Sequence, residues 1–155
     1  MNNTVSRKQA REIALHLVFE MGFGAFEAEN VMTDRLGEEI MQSISGDIAL
    51  YAGKLDEAQT KYIVSAVKGV AEHLEELDVY IENNAKGWTL SRLSRITIAI
   101  LRLAIYEMYY VEDVPVGAAI NEAVELAKVY DSDEAASFIN GVLGAVARKM
   151  ESEQE

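Results

Sequence analysis

Between Ile100 and Val146 the chain reads ILRLAIYEMYYVEDVPVGAAINEAVELAKVYDSDEAASFINGVLGAV, with apolar residues recurring at steps of three and four rather than two. That spacing predicts three consecutive helices and no strand. Ile100 to Val111 is apolar on nearly every side, interrupted by Arg102 and Glu107, which suits a central strut surrounded by other helices. Asp113 and Pro115 offer a cap and an early-turn proline for the second helix, on which Ile120, Ala123, Val124 and Ala127 share a face. In DSDE, Asp131 with Glu134 three residues on resembles a capping box with Asp in the Ser/Thr place. Behind it Ile139, Val142, Leu143, Val146 and Met150 form the stripe of the third helix.

Upstream, Ala10, Ile13, Ala14, Leu17, Val18 and Met21 mark the buried face of a helix from Arg7 to Met21, ended by Gly22 and Gly24. A weaker helix is predicted from Glu27 to Ile44, with Leu36, Ile40 and Ile44 on one side. Ser45 to Lys54 has two glycines and no sustained period, so it reads as a mobile connector. A long helix over Asp56 to Asn83 follows, striped by Ile63, Ala66, Val67, Val70, Ala71, Leu74, Leu77 and Ile81, and Asn83, Asn84, Lys86 and Gly87 break it. Trp88 to Arg95 predicts a short helical turn with Trp88 and Leu90 inward and Arg92 and Arg95 outward. The pattern is that of an all-α bundle forming one domain over residues 1–150, followed by a frayed acidic tail over 151–155.

Composition narrows the chemistry. The 155 residues include no cysteine, which removes disulfides, thiolate catalysis and thiolate metal sites. His16 and His73 fall on different helices without HExxH spacing, and no GxxxxGK, GxGxxG after a strand, or GxSxG occurs, so no metal, no cofactor and no enzyme are expected. Glu122 and Glu125 are three apart on one helix and read as a solvated face with Lys128. No apolar run is long enough to span a bilayer and the N-terminus is unlike a signal peptide, so the expected location is cytoplasmic. The net charge of −12 opposes general nucleic-acid affinity. Screening confines exposed charges to a range of roughly 8 to 10 Å, however, so a local basic patch can still hold phosphate.

Arg7, Lys8 and Arg11 are the densest basic group, placed by helical spacing along one flank, with Phe19 further along it. Cations beside an aromatic ring suit single-stranded RNA, whose phosphates and splayed bases need both. The alternative is a solvated charged edge plus one core phenylalanine. Asn121 and Asn140 stand inside apolar patterns, and the expectation is a pair of inward, hydrogen-bonded clamps between helices, with a ligand contact as the alternative. Gly141 and Gly144 would let a neighbouring helix approach closely.

ILRLAIYEM, DVPVGAAINEAVELAKVY and SFINGVLGAVARK, in this order and spacing, closely resemble the C-terminal half of the NusB family of bacterial transcription antitermination factors. RKQAREIALHLVFEM resembles the family's first helix and KGWTLSRLSR its middle segment. The resemblance implies a bundle of about six to seven helices in two subdomains. It also implies a non-catalytic factor that binds the boxA element of nascent ribosomal RNA transcripts with NusE, a small-subunit ribosomal protein, in a complex that modifies RNA polymerase and supports ribosomal RNA synthesis. By the same resemblance the RNA site maps onto Arg7, Lys8, Arg11 and Phe19, and onto Asp133, Glu134 and Phe138 at the start of the last helix. Gln9 stands where some members have another basic residue, and Thr97 and Ile98 replace a charged pair common on the surface that meets NusE. The other reading is an interaction scaffold, a homodimer formed through the first-helix flank with little RNA function.

Overall fold

The computed structural model describes residues 4–24, 26–37, 41, 53–87 and 90–153. Among them every regular element is helical, and the one β-type pairing is an isolated parallel bridge between Thr4 and Lys54. The chain divides into two compact units, Met1–Ala71 and Glu72–Glu155.

In the first unit, α1 spans Arg7–Met21, as the spacing predicts. Its start is fixed by a capping box: Ser6 Oγ accepts from the Gln9 N–H at 3.1 Å, and Gln9 Oε1 accepts from the Ser6 N–H at 2.9 Å. Ala10, Ile13, Ala14, Leu15, Leu17 and Val18 are buried, whereas Met21 is only half-buried. The expected weak helix is replaced, where described, by a 3-10 turn at Ala28–Asn30 and a π-helical segment at Met32–Leu36, which bury Val31 and Leu36. Ile40 and Ile44 lie outside the described residues. So does most of the expected connector. Its last residue, Lys54, accepts a hydrogen bond from the Val5 N–H at 2.9 Å. Asp56 then caps α2, Glu57–Glu72, through Oδ1 and the Gln59 N–H at 2.8 Å.

The segment read as one long helix is two. His73, at φ −107° and ψ 17°, leaves the α region for one residue, and α3 resumes over Leu74–Asn84. Apolar periodicity runs across so short an interruption without a phase change, which hides it in the sequence. The boundary between the units falls there too, Ile63, Val67 and Val70 serving one core and Leu77 and Ile81 the other.

In the second unit a 3-10 turn at Leu90–Arg92 precedes α4, Arg95–Tyr110. Trp88, expected against the core, lies outside the described residues, while Arg92 and Arg95 are exposed as expected. Ser94 caps α4 through the Thr97 N–H, so the strut starts five residues before Ile100. Ile100, Leu101, Leu103 and Ile105 are at most 2% exposed. At roughly 1.5 to 3 kcal/mol for each fully buried side chain, α4 is the spine of this unit. It packs against α3, against α5 (Val116–Tyr130) and against α6 (Asp133–Glu153), and α5 packs along α6. Arg102 forks onto Asp78 of α3 with bonds of 2.8 and 2.9 Å.

Several local expectations are corrected. Asp113 makes no cap: Pro115 takes the cap position of α5 and no side chain serves its first amides. The cap of α6 is Ser132, whose Oγ accepts from the Ala135 N–H at 3.0 Å. Asp131 turns instead to the Thr97 hydroxyl. Residues 151–153, expected to fray, continue α6. Gly144 meets only the Arg148 side chain and Gly141 meets nothing within 4 Å, so neither admits a neighbouring helix.

Candidate nucleic-acid interface

The basic group at the start of α1 does not form a uniformly solvated edge. Lys8 is exposed, whereas Arg11 is 7% exposed, its guanidinium carbon 5.8 Å from the centre of the Tyr62 ring on α2. Arg7 is exposed but placed: its guanidinium carbon lies 4.3 Å from the same ring, and Nε donates to Gln59 Oε1 at 2.8 Å. Tyr62 thus holds two cations by ring electrostatics. Arg11, expected to meet phosphate, is nearly buried beside that ring. Lys8 and the outer side of Arg7 remain available to an anion.

Gln9, which dilutes the basic motif, has its amide oxygen committed to the capping box. The pattern S-x-x-Q at Ser6 to Gln9 carried that signal in the sequence. Phe19 is half-buried and meets Phe23 edge-on, with ring centres 5.0 Å apart. Phe23, which spacing did not single out, is 56% exposed and provides an aromatic surface at the end of α1. Arg7 and Phe19 are twelve residues apart on one helix, a rise of about 18 Å. His16, on the same helix, is half-buried, and burial lowers its pKa below the ordinary value while Glu20 and Glu12 act to raise it. No cluster of potential metal ligands occurs among the described residues.

In the second unit, Asp133 and Glu134 are exposed on the first turn of α6 and Phe138 is half-buried one turn on. Asn121 and Asn140 correct the expectation of buried clamps: both are exposed. They face a groove of about 700 Å3 along α5 and α6, with Lys128 and Asp133 at its other end. The apolar neighbours that suggested burial belong to the opposite sides of these helices, where Ala119, Ala123, Ile139 and Leu143 are buried. Lys128 also pairs with Glu125 at 3.6 Å, as the solvated-face reading expects. Thr97 is 5% exposed, so its hydroxyl belongs to the bond with Asp131 rather than to an open face, and Ile98 is half-buried.

A second unpredicted feature joins α3 to α4. Tyr110 Oη donates to the Glu76 carboxylate, 2.7 Å from each oxygen, and Tyr80 Oη reaches it at 3.3 Å. His73 stacks on Tyr110 with ring centres 4.1 Å apart, and Tyr80 stacks on Tyr109 at 4.6 Å. The Tyr110 hydroxyl, with help from His73 and Tyr80, holds the Glu76 pKa below its ordinary value. Reciprocally, that bond pushes Tyr110 up to about 12. The strut reading of YEMYY captured its helix but not this partner on α3.

Comparison with known proteins places this architecture. The NusB family model matches residues 8–148. The transcription antitermination protein NusB of Acetivibrio thermocellus is 42% identical over 93% of this chain and 90% of its own length. That of Clostridium tetani is 40% identical over 94% of this chain and all of its own. Among solved structures, T. maritima NusB superposes with a TM-score of 0.70 at 27% identity, covering 96% of this chain and 93% of that one. The antitermination factors NusB and NusE solved in complex with dsRNA include a chain of the same fold, with a TM-score of 0.68 at 24% identity, covering 92% of this chain and 96% of that one. Sequence and architecture agree over nearly the whole length: this chain belongs to the NusB family of transcription antitermination proteins, which are not enzymes.

Proposed function

We propose that this protein binds the boxA element of nascent ribosomal RNA transcripts together with NusE, within an antitermination complex on RNA polymerase, and so supports ribosomal RNA synthesis in the cytoplasm. The family match over residues 8–148 carries the reading. It is supported by a solved NusB–NusE complex with dsRNA among proteins of the same fold. Lys8 and Arg7 meet phosphate, Phe19 and Phe138 offer faces to unpaired bases, and Asp133 and Glu134 accept hydrogen bonds from base amines. Arg11 supports the site from beneath through Tyr62. In a chain of net charge −12, two accessible cations give a weak phosphate contact alone, and NusE completes the site.

The test is a titration of boxA RNA, with NusE present, against the wild type, Lys8→Ala and Arg7→Ala at several salt concentrations. Each variant is expected to weaken binding and to reduce the slope of log K against log salt by nearly one. Unchanged affinity and slope in both would overturn the site. The exposed Phe23 beside Phe19 favours a second reading, a homodimer through the α1 flank that acts as a scaffold. Sedimentation at several concentrations decides: a stable dimer that neither binds nor responds to RNA supports the scaffold.

A further inference from the structure

We propose that Gln59 and Tyr62 on α2 are positioning residues for RNA: they hold the Arg7 guanidinium so that its two Nη groups form a preset fork for one backbone phosphate. The proposal rests on the RNA-binding reading above and brings a second helix into it. Arg7 is exposed, and an exposed arginine ordinarily samples many rotamers. Here its Nε donates to Gln59 Oε1 at 2.8 Å, and its guanidinium carbon lies 4.3 Å from the centre of the Tyr62 ring. Neither Nη group makes a hydrogen bond or ion pair with the described residues. Held at Nε and over one face of its plane, the side chain keeps open the edge that carries both Nη groups. That edge is the one that meets a phosphate bidentately.

Local sequence builds this clamp. Arg7 and Arg11 are four apart on α1, and Gln59 and Tyr62 are three apart on α2, so each pair shares a helix face. The two helix starts are held side by side: Ser6 and Gln9 cap α1, Asp56 caps α2 through the Gln59 N–H, and the Val5 N–H donates to the Lys54 carbonyl just ahead of both. Arg11, 7% exposed, brings a second guanidinium to the same ring at 5.8 Å. A cation in the first turn of a helix opposes the helix dipole, and that turn of α1 contains no acidic residue to offset it. At the surface, a ring contact and a neutral hydrogen bond add little to folding. They do add order, because the rotamer freedom that Arg7 would otherwise lose on binding is lost on folding instead. Lys8, exposed and without a partner among the described residues, supplies charge but no fixed fork.

The experiment titrates boxA RNA, with NusE present, against the wild type, Gln59→Ala, Tyr62→Leu, Tyr62→Phe, Arg7→Lys, Arg7→Ala and Arg7→Ala/Gln59→Ala at several salt concentrations, with thermal melts as the folding control. Gln59→Ala and Arg7→Lys keep every charge, so each is expected to bind about threefold to tenfold more weakly with the salt slope unchanged. Tyr62→Leu should weaken binding likewise, and Tyr62→Phe, which keeps the ring, should restore it. Because Gln59 acts through Arg7, its removal should have no further effect once Arg7 is alanine, whereas a role in packing alone would lower affinity equally in both backgrounds. Wild-type affinity in Gln59→Ala or Arg7→Lys, or that equal further loss in the double variant, would overturn the clamp, and a loss on Arg7→Ala would then still support the RNA site. Absence of RNA binding by the wild type would overturn both. Weaker binding of NusE alone by Arg7→Lys, with RNA affinity preserved, would assign the fork to a protein carboxylate and overturn the proposal equally.

Discussion

Lys8 and Arg11 sit three residues apart in one basic run, yet folding gives them opposite environments. Lys8 stays in solvent, while Arg11 is carried inward to the Tyr62 ring with its aliphatic stem packed. Arg11→Ala should therefore destabilise the protein by on the order of 1 to 3 kcal/mol, visible as a lower urea midpoint, whereas Lys8→Ala should leave the midpoint in place. Equal midpoints would remove the buried role from Arg11. Charge type and helical spacing announced a cationic flank, but the ring that sorts its members lies 51 residues beyond Arg11, counted from the two sequence positions. A contact so distant leaves no trace in local periodicity.

At the scale of the element, caps separate what was legible from what was not. The bounds of α1 follow from its stripe, and Ser6 with Gln9 confirms them. The start of α6 turned on Asp131 or Ser132, adjacent residues of equal capping competence. Tertiary structure decided it, since Asp131 accepts from Thr97 on another helix. Ser132→Ala should thus cost about 1 kcal/mol in chemical denaturation. Asp131→Ala should also destabilise, but in a double-mutant cycle its effect should couple to Thr97→Val and not to Ser132→Ala. Asn121 and Asn140 depart from their pattern for a related reason: periodicity identifies a stripe, and it does not say whether a position at the stripe's margin meets a neighbour or a groove.

The same scale holds the link between α3 and α4. Because Glu76 has its pKa lowered in the folded state, the unfolded chain binds its proton first as pH falls. The stabilisation is present above the ordinary carboxylate value and is lost as pH drops through the lowered one. Tyr110→Phe removes the largest cause of that lowering, so its loss of melting temperature relative to wild type should be clear near neutrality and shrink in acid. A pH-independent difference would assign the effect to packing alone.

Across the whole molecule, the two units differ in how their parts are spaced along the chain. In Glu72–Glu155 the packed partners α4, α5 and α6 follow one another directly. In Met1–Ala71 the Val5 amide closes onto Lys54, 49 residues away, beside the Thr4–Lys54 bridge that is the one β-type pairing among the described residues. Contacts between neighbours in sequence form quickly, and closing a long loop must precede any reward from its contacts. In refolding followed by pulsed hydrogen exchange, the amides of α4 to α6 should gain protection before that of Val5, and simultaneous protection would count against this order. During synthesis the order of emergence is reversed. The segment around Val5 leaves the ribosome ahead of its partners, so Val5 waits for Lys54, and Arg7 and Arg11 wait for Gln59 and Tyr62. The bridge is thus a tie whose partner emerges just before the basic flank can take its shape, since Gln59 and Tyr62, which place Arg7 and Arg11, follow Lys54 in the chain.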